Sequence, residues 1–284
     1  MTPTAATPWQ FTDSRGQLVT APARPARIAA YIQAGATLYD HGLRPAGIFG
    51  SYHDGPAPDP AKAGSLPLSE VAYFGAGQAL DPDAVLAAGI DLLVAVSYGG
   101  SAVYGMEPDT AKHLEQHIPT VVLDIGQGRS LSEVRDTFHA LAESLGSTEP
   151  PEAAHALADA QAKLKSLISP TTPALLALSP ADAADVHLAR PHAWPDLRAL
   201  TALGVPLLDP PPEGGANWST VPWERAAGLA PQLVLADVRA NAAPFEAGRI
   251  GPDVEVVPWN PELPASATAH TAFFESIAEA LHEA

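Results

Sequence analysis

Apolar and polar positions follow three different periods along this chain, and each predicts a different kind of element. Alternation on both sides of Asp13–Gly16, from Trp9 to Thr20, predicts a hairpin. Short continuous apolar runs at Arg27–Ile32, Pro45–Phe49, Leu92–Val96 and Thr120–Leu123 predict strands buried on both faces. Helical spacing falls between and after them, at Ala34–His41 with Gly42 as its stop, at about Pro108–His117 and at Leu131–Leu145. Strands alternating with helices make a parallel sheet with crossover helices. The longest helical run, Pro150–Ile168, starts with two prolines and places Ala153, Leu157, Ala160, Leu164, Leu167 and Ile168 at helical spacing. It would span about 28 Å as a stiff rod. Beyond it the pattern repeats: strands at Ala174–Leu178, Val186–Ala189, Pro206–Leu208 and Val254–Pro258, a helix at Trp194–Leu203 and a closing helix at His270–His282.

One pattern occurs twice. Leu80–Val96 and Thr220–Asp237 each carry a proline at or near a helix start, an acidic residue in the first turn and then a continuous apolar strand. The doubling predicts an α/β fold of two Rossmann-like lobes with parallel sheets, joined by a single long backbone helix, with a ligand cleft between the lobes. The divisions read from the pattern are residues 1–149, a linking helix 150–168, and 169–284. The length of 284 residues also suits two domains better than one. Gly50–Leu68, rich in Gly, Pro and Asp, is expected to be a long loop of the kind that often carries function.

Composition narrows the function. A formal net charge of −17 disfavours a nucleic-acid partner, which needs a basic surface. With no cysteine, disulfides, iron–sulfur clusters, thiolate zinc sites and a lipid-modified cysteine are excluded for the sequence as it stands. No apolar run reaches the roughly 18 residues of a membrane span. Met1–Trp9 has neither a basic start nor an apolar run, so it does not read as a secretory signal. Catalytic motifs are missing: there is no Gly-x-Ser-x-Gly elbow and no phosphate-binding Gly-Lys-Ser/Thr loop. Phe74–Gln78 has two of the three glycines of a dinucleotide loop and reads as a turn. His113 and His117 lie one helical turn apart without the glutamate placement of a zinc protease, and read as a solvated helix face. His187 and His192 would need an imidazole from the first half to hold a metal directly, and only His53 offers one, so no metal site is predicted.

The order Arg27–Tyr31, Leu43–Gly50, Leu80–Val96, Ile118–Leu123 resembles the substrate-binding proteins of ABC transporters, in the helical-backbone class that carries ferric siderophores, haem or cobalamin. Ala189–Leu197 and Val256–Pro261 look most like the siderophore branch, and the resemblance runs from about residue 9 to the end. It implies binding without catalysis, no resident cofactor, a metal chelate as ligand, an ABC permease as partner and a monomer that does not insert into the membrane. It also implies that an acidic residue on each repeated helix docks on arginines of the permease. The matching positions are Asp83, where glutamate is usual, and Glu224. An acidic first turn also favours a helix start by itself. The family is extracytoplasmic by default, whereas a native start at Met1 would make the chain a cytosolic relative that sequesters or acts on a siderophore or another small natural product.

Ligands of open α/β sheets sit beyond the carboxyl ends of the strands. That rule selects Tyr31, Gln33, Tyr52, His53, Tyr98 and Tyr104 from the first half, with Ser51 and Ser97 beside them. From the second it selects Arg190, His192, Trp218, Arg239 and Trp259. Rings give contact area at low entropic cost and guanidinium pairs with carboxylate or catecholate oxygens, which suits a ferric chelate. The same residues admit a plainer role, the rings as core packing and the two arginines as structural ion pairs.

Overall fold

The computed structural model describes residues 7–126 and 128–283; the first six residues of the stretch read for a secretory signal lie outside them. The chain divides into two compact units. The first runs to Ile125 and adds Val134–Pro150 and Pro264–Ser266; the second holds Gly126–Glu133, Pro151–Leu263 and the residues from Ala267 on. Among the described residues no helix is long and apolar enough to cross a membrane.

The first unit opens with a hairpin, β1 (Trp9–Thr12) and β2 (Leu18–Ala21), paired antiparallel around Asp13–Gly16 as the alternation predicts. There follow β3 (Ile28–Tyr31), α1 (Ile32–Asp40), β4 (Gly47–Gly50), α2 (Pro60–Ala63), β5 (Ala72–Ala76), α3 (Pro82–Ala87), β6 (Leu92–Ser97), α4 (Pro108–Glu115), β7 (Thr120–Asp124) and α5 (Leu131–Ser144). The sheet has the order β5-β4-β3-β6-β7 and every pair in it is parallel. β3, β4 and β6 are buried along their whole length, which is why they read as continuous apolar runs. Asp81 starts α3 by accepting the Ala84 N–H, with Pro82 in the first turn, where its missing N–H costs nothing.

Two expectations for this unit need correction. Gly50–Leu68 is not all loop, because Asp59 caps the short α2 by accepting the Ala61 N–H. Phe74–Ala76, read as part of a turn, lies in β5. β5 is a half-exposed edge strand whose register slips against β4 between Ile48 and Gly50, so it shows neither clean alternation nor a continuous apolar run. The Phe74 ring sits on the bare face of Gly47, and that contact is what a glycine inside β4 provides.

The second unit contains α6 (Pro151–Leu167), β8 (Leu175–Pro180), β9 (Asp185–Ala189), α7 (Pro195–Leu203), β10 (Trp218–Pro222), α8 (Trp223–Ala227), β11 (Leu233–Asp237), β12 (Glu255–Trp259) and α9 (Ala267–Glu283). Its sheet has the order β10-β9-β8-β11-β12. β8, β11 and β12 pair in parallel, but β9 runs against them and pairs antiparallel with both β8 and β10, so this sheet is mixed where a parallel one was expected. Thr220–Pro222, read as the entry to the repeated helix, is the end of β10; Ser219 and Val221 are buried while Thr220 and Pro222 are exposed, a strand period. Pro206–Leu208 forms only a single bridge, Leu207 to Leu175. The prolines at 210–212 that follow have no N–H to extend it. α6 lies along α9 within this unit, with Leu157, Ala160 and Leu164 on its buried side.

The contact between β4 and β5 is directly testable. A methyl group at Gly47 would run into the Phe74 ring, so Gly47→Ala should lose about 1–3 kcal/mol in urea denaturation, and Gly47→Ala combined with Phe74→Leu should recover part of that loss.

Candidate functional site

In the first unit the strand order reverses between β3 and β6, the place where open sheets hold ligands. β3 ends at Tyr31, fully buried, whose ring meets Phe49 at 5.9 Å and lies edge-on to Tyr104 at 5.6 Å. Tyr104 is edge-on to Tyr98 at 4.7 Å, and its N–H donates to the Val96 carbonyl, which folds the 98–104 loop back over the end of β6. Three predicted residues, Tyr31, Tyr98 and Tyr104, thus form one chain of ring contacts, each such contact being worth about 0.5–1.5 kcal/mol beyond its area. Beside them the Ser97 hydroxyl is buried with no hydrogen-bond partner among the described residues. Leaving such a group unsatisfied costs about 1–3 kcal/mol.

The loop after β4 is held by a buried ion pair that the sequence reading missed. Lys62 Nζ lies 2.7 Å from Asp54 Oδ1 and 3.5 Å from the Tyr31 hydroxyl, with no side-chain exposure at all. Asp54 Oδ2 accepts the N–H and hydroxyl of Ser51, at 2.6 and 3.0 Å. Burial and then the charges of Asp54 and Asp59 push the Tyr73 phenol up to about 12, and it donates to the Gly55 carbonyl. The available signal was that Lys62 is the lone cation among the acidic residues of Gly50–Leu68. Tyr52 and His53 are exposed, and burial followed by Glu107 raises the Tyr52 pKa. Gln33 is buried in the first turn of α1.

The second unit's sheet reverses between β8 and β11, and there the Ser179 hydroxyl donates to Asp237 Oδ2 at 2.7 Å. Asp237 also takes the Arg239 guanidinium, which reaches Glu262 at 2.9 Å on its other side. Burial opposes the charge of Arg239, but the two carboxylates outweigh it and raise its pKa. Next to this network is a pocket of about 440 Å³ walled by Val238, Pro244, Phe245, Val256 and Pro258.

A second aromatic group draws on both edge strands. Trp218 from β10 and Trp259 from β12 meet at 6.0 Å, and Trp194, just before α7, lies 5.0 Å from the first and 5.8 Å from the second. Trp259 Nε1 donates to Asp196 Oδ2 at 2.6 Å and Trp194 Nε1 to the Asn217 carbonyl at 3.3 Å. Trp194 and Trp259 are buried and Trp218 is half-buried. Burial, partly countered by the Trp259 N–H and the Leu197 backbone N–H, pushes Asp196 up to about 6. Trp194 and Asp196 were not among the predicted site residues; the Trp-Pro-Asp run looked like a helix start and is one, while also carrying this contact.

Arg190 spends its guanidinium on the carbonyls of Pro212, Glu213 and Gly215, and so clamps the loop ahead of Trp218. His192 is exposed. Asp83 on α3 and Glu224 on α8 are exposed in the first turns of the two repeated helices. His113 and His117 are also exposed, with rings 4.8 Å apart, and His117 Nδ1 lies 2.8 Å from the His113 carbonyl oxygen.

Two α/β units, each with a strand reversal at a largely parallel sheet, define the two-lobed solute-binding fold. Among solved structures this chain is similar to DesE, a ferric-siderophore receptor protein from Streptomyces coelicolor, at 23% identity and a TM-score of 0.86, over 96% of this chain and 97% of that one. It is similar to the heme binding protein HmuT at 14% identity and a TM-score of 0.66, over 98% and 91%. A siderophore periplasmic binding protein from the fuscachelin gene cluster of Thermobifida fusca matches at 17% and 0.62, over 93% and 98%. At these identities the likeness establishes the fold. No protein-family model matches the sequence, and no curated protein does.

The raised pKa of Asp196 makes a stability prediction. A carboxyl whose folded pKa exceeds its unfolded value stabilises the fold below the unfolded pKa, and that contribution is lost as pH rises through the folded one. From 3.8 to about 6 this amounts to about 3 kcal/mol. Asp196→Asn should therefore be more stable than the parent at pH 7.5, by up to that amount. In denaturant melts at stepped pH, the advantage should disappear as pH falls toward 4.

Proposed function

We propose that this chain is a substrate-binding protein that captures a metal chelate of the ferric-siderophore type and presents it to an ABC permease, binding without catalysis. The observation that carries this reading is the tyrosine chain at the strand reversal of the first unit, ending in half-buried Tyr98 and Tyr104 beside the Ser97 hydroxyl, which has no hydrogen-bond partner among the described residues. Rings and a hydroxyl at a strand reversal suit a bulky ligand with an apolar rim and a few polar oxygens. In the second unit, half-buried Trp218 offers an aromatic face backed by Trp194 and Trp259. The likeness in fold to DesE, a ferric-siderophore receptor, supports the same reading.

Within this class, the charge balance favours a chelate of low negative charge. The chain carries −17, and both arginines expected to meet anionic oxygens are engaged, Arg239 by two carboxylates and Arg190 by three carbonyls. A neutral ferric tris-hydroxamate fits that surface better than a trianionic tris-catecholate. Asp83 and Glu224, exposed at equivalent places of the two repeats, are the proposed permease contacts.

The test is a tryptophan-fluorescence titration with a ferric tris-hydroxamate, a ferric tris-catecholate, haem and cobalamin, each beside its metal-free form where one exists. One ferric chelate should quench saturably, and Trp218→Ala and Tyr98→Ala should each weaken its binding about tenfold or more, the loss of one good aromatic contact. Absence of quenching by every ferric chelate would sink the reading.

A further inference from the structure

Three tryptophans pack together in the second unit, and one of them, Trp259, is tied by its indole N–H to a buried carboxylate, Asp196, at 2.6 Å. Trp259 is 1% exposed, so a solute does not reach its ring, whereas Trp218, which leans on it, is half-buried. Trp218 is therefore the ring of this group that can meet a solute, and it packs on Trp194 at 5.0 Å and on Trp259 at 6.0 Å. We propose that Asp196 is a positioning residue for this aromatic wall: its carboxylate fixes Trp259, through it Trp218, and ligand affinity falls when Asp196 takes up a proton. This rests on the ligand reading above.

A carboxylate accepts an indole N–H about twice as strongly as a neutral acid or amide does, so protonation loosens the tie without removing it. Burial raises the Asp196 pKa to about 6, which puts the change within reach of ordinary conditions. Other charged groups stand on the surrounding elements. His187 on β9 lies 6.2 Å from Trp218, shares a hydrogen bond with the Thr220 hydroxyl, and has a pKa lowered chiefly by burial. Arg190 and His192 precede α7, and Arg190 is bound to loop carbonyls. Arg198 on α7 donates to the Arg129 carbonyl, and Asp237, Arg239 and Glu262 close on one another beyond β11. His187 is the group whose titration would most resemble that of Asp196, so it serves as the control.

The test has two arms. In the ligand-free protein, the indole N–H resonance of Trp259 should titrate with a midpoint near 6, should lose that titration in Asp196→Asn and should keep it in His187→Gln. A resonance that does not move between pH 5 and 7.5, or one whose movement disappears with His187→Gln, overturns the proposal. In the second arm, the affinity for the ferric chelate found to bind should drop on the order of tenfold from pH 7.5 to pH 5. Asp196→Asn, checked for folding by circular dichroism, should hold the low-pH affinity at every pH. If Asp196→Asn keeps the parent's pH profile, the positioning role is wrong. Should no chelate bind while the resonance titrates as described, the coupling of Asp196 to the wall stands and the ligand reading fails.

Discussion

Removing a carboxylate from water is costly unless N–H groups or a cation take over from the solvent. Much of this chain's local order follows from how it meets that constraint. Asp13 closes the hairpin by accepting the backbone N–H groups of Arg15 and Gln17, and it fastens the turn to β7 through the Val122 N–H and the Arg15 guanidinium. Asp91 accepts from Ala26 and Arg27, where the connector enters β3. Asp54 gathers Ser51 and Lys62 at the end of β4, and Asp237 gathers Ser179 and Arg239 at the end of β11. Removing one partner of a buried pair such as Asp54–Lys62 or Asp237–Arg239 typically costs about 3–5 kcal/mol, so those acids behave as staples rather than as solvated charge. Asp196 is buried with the Trp259 indole and the Leu197 backbone N–H as partners, and burial outweighs them and raises its pKa.

The parts of the molecule that the sequence revealed are those whose burial is regular along the element. β3, β4, β6 and β7 were legible because burial on both faces leaves an unbroken apolar run, and α5, α6 and α9 because a helix with one buried side keeps its 3.6 period. The elements that escaped or were misread are edges. β5 is half-exposed and interrupted by glycine, and β10 is an antiparallel-paired edge whose last residue, Pro222, directly precedes α8 and reads as a helix start. Pro206–Leu208 had the composition of a strand but too few donors after it to extend its single bridge.

The candidate site was legible in its rings more than in its charges. An aromatic residue at the end of a buried strand can be placed from the strand alone, and Tyr31, Tyr98, Tyr104, Trp218 and Trp259 do come together within their own units. The partner of a charged side chain depends on loops whose course no periodicity encodes. Lys62 finds Asp54 through a turn, Arg190 finds three carbonyls of Pro212–Gly215, and Arg239 finds Glu262 across 23 positions. For the same reason sequence reasoning named both arginines as candidate anion ligands, whereas the structure has them holding loops in place.

The proposed ligand chemistry depends on this division between rings and charges. Exposed charges separated by more than about 8 Å are screened at physiological salt, so a net −17 acts on a small solute mainly through the groups near the binding surface. With Arg190 and Arg239 engaged, those groups contribute little free positive charge, and an anionic chelate would give up its hydration without a compensating cation. An uncharged complex escapes that cost and still gains the area of the tyrosine and tryptophan faces. Holding those faces rigid then matters more than adding polar contacts, because a ring already fixed in place loses little entropy when a solute docks on it.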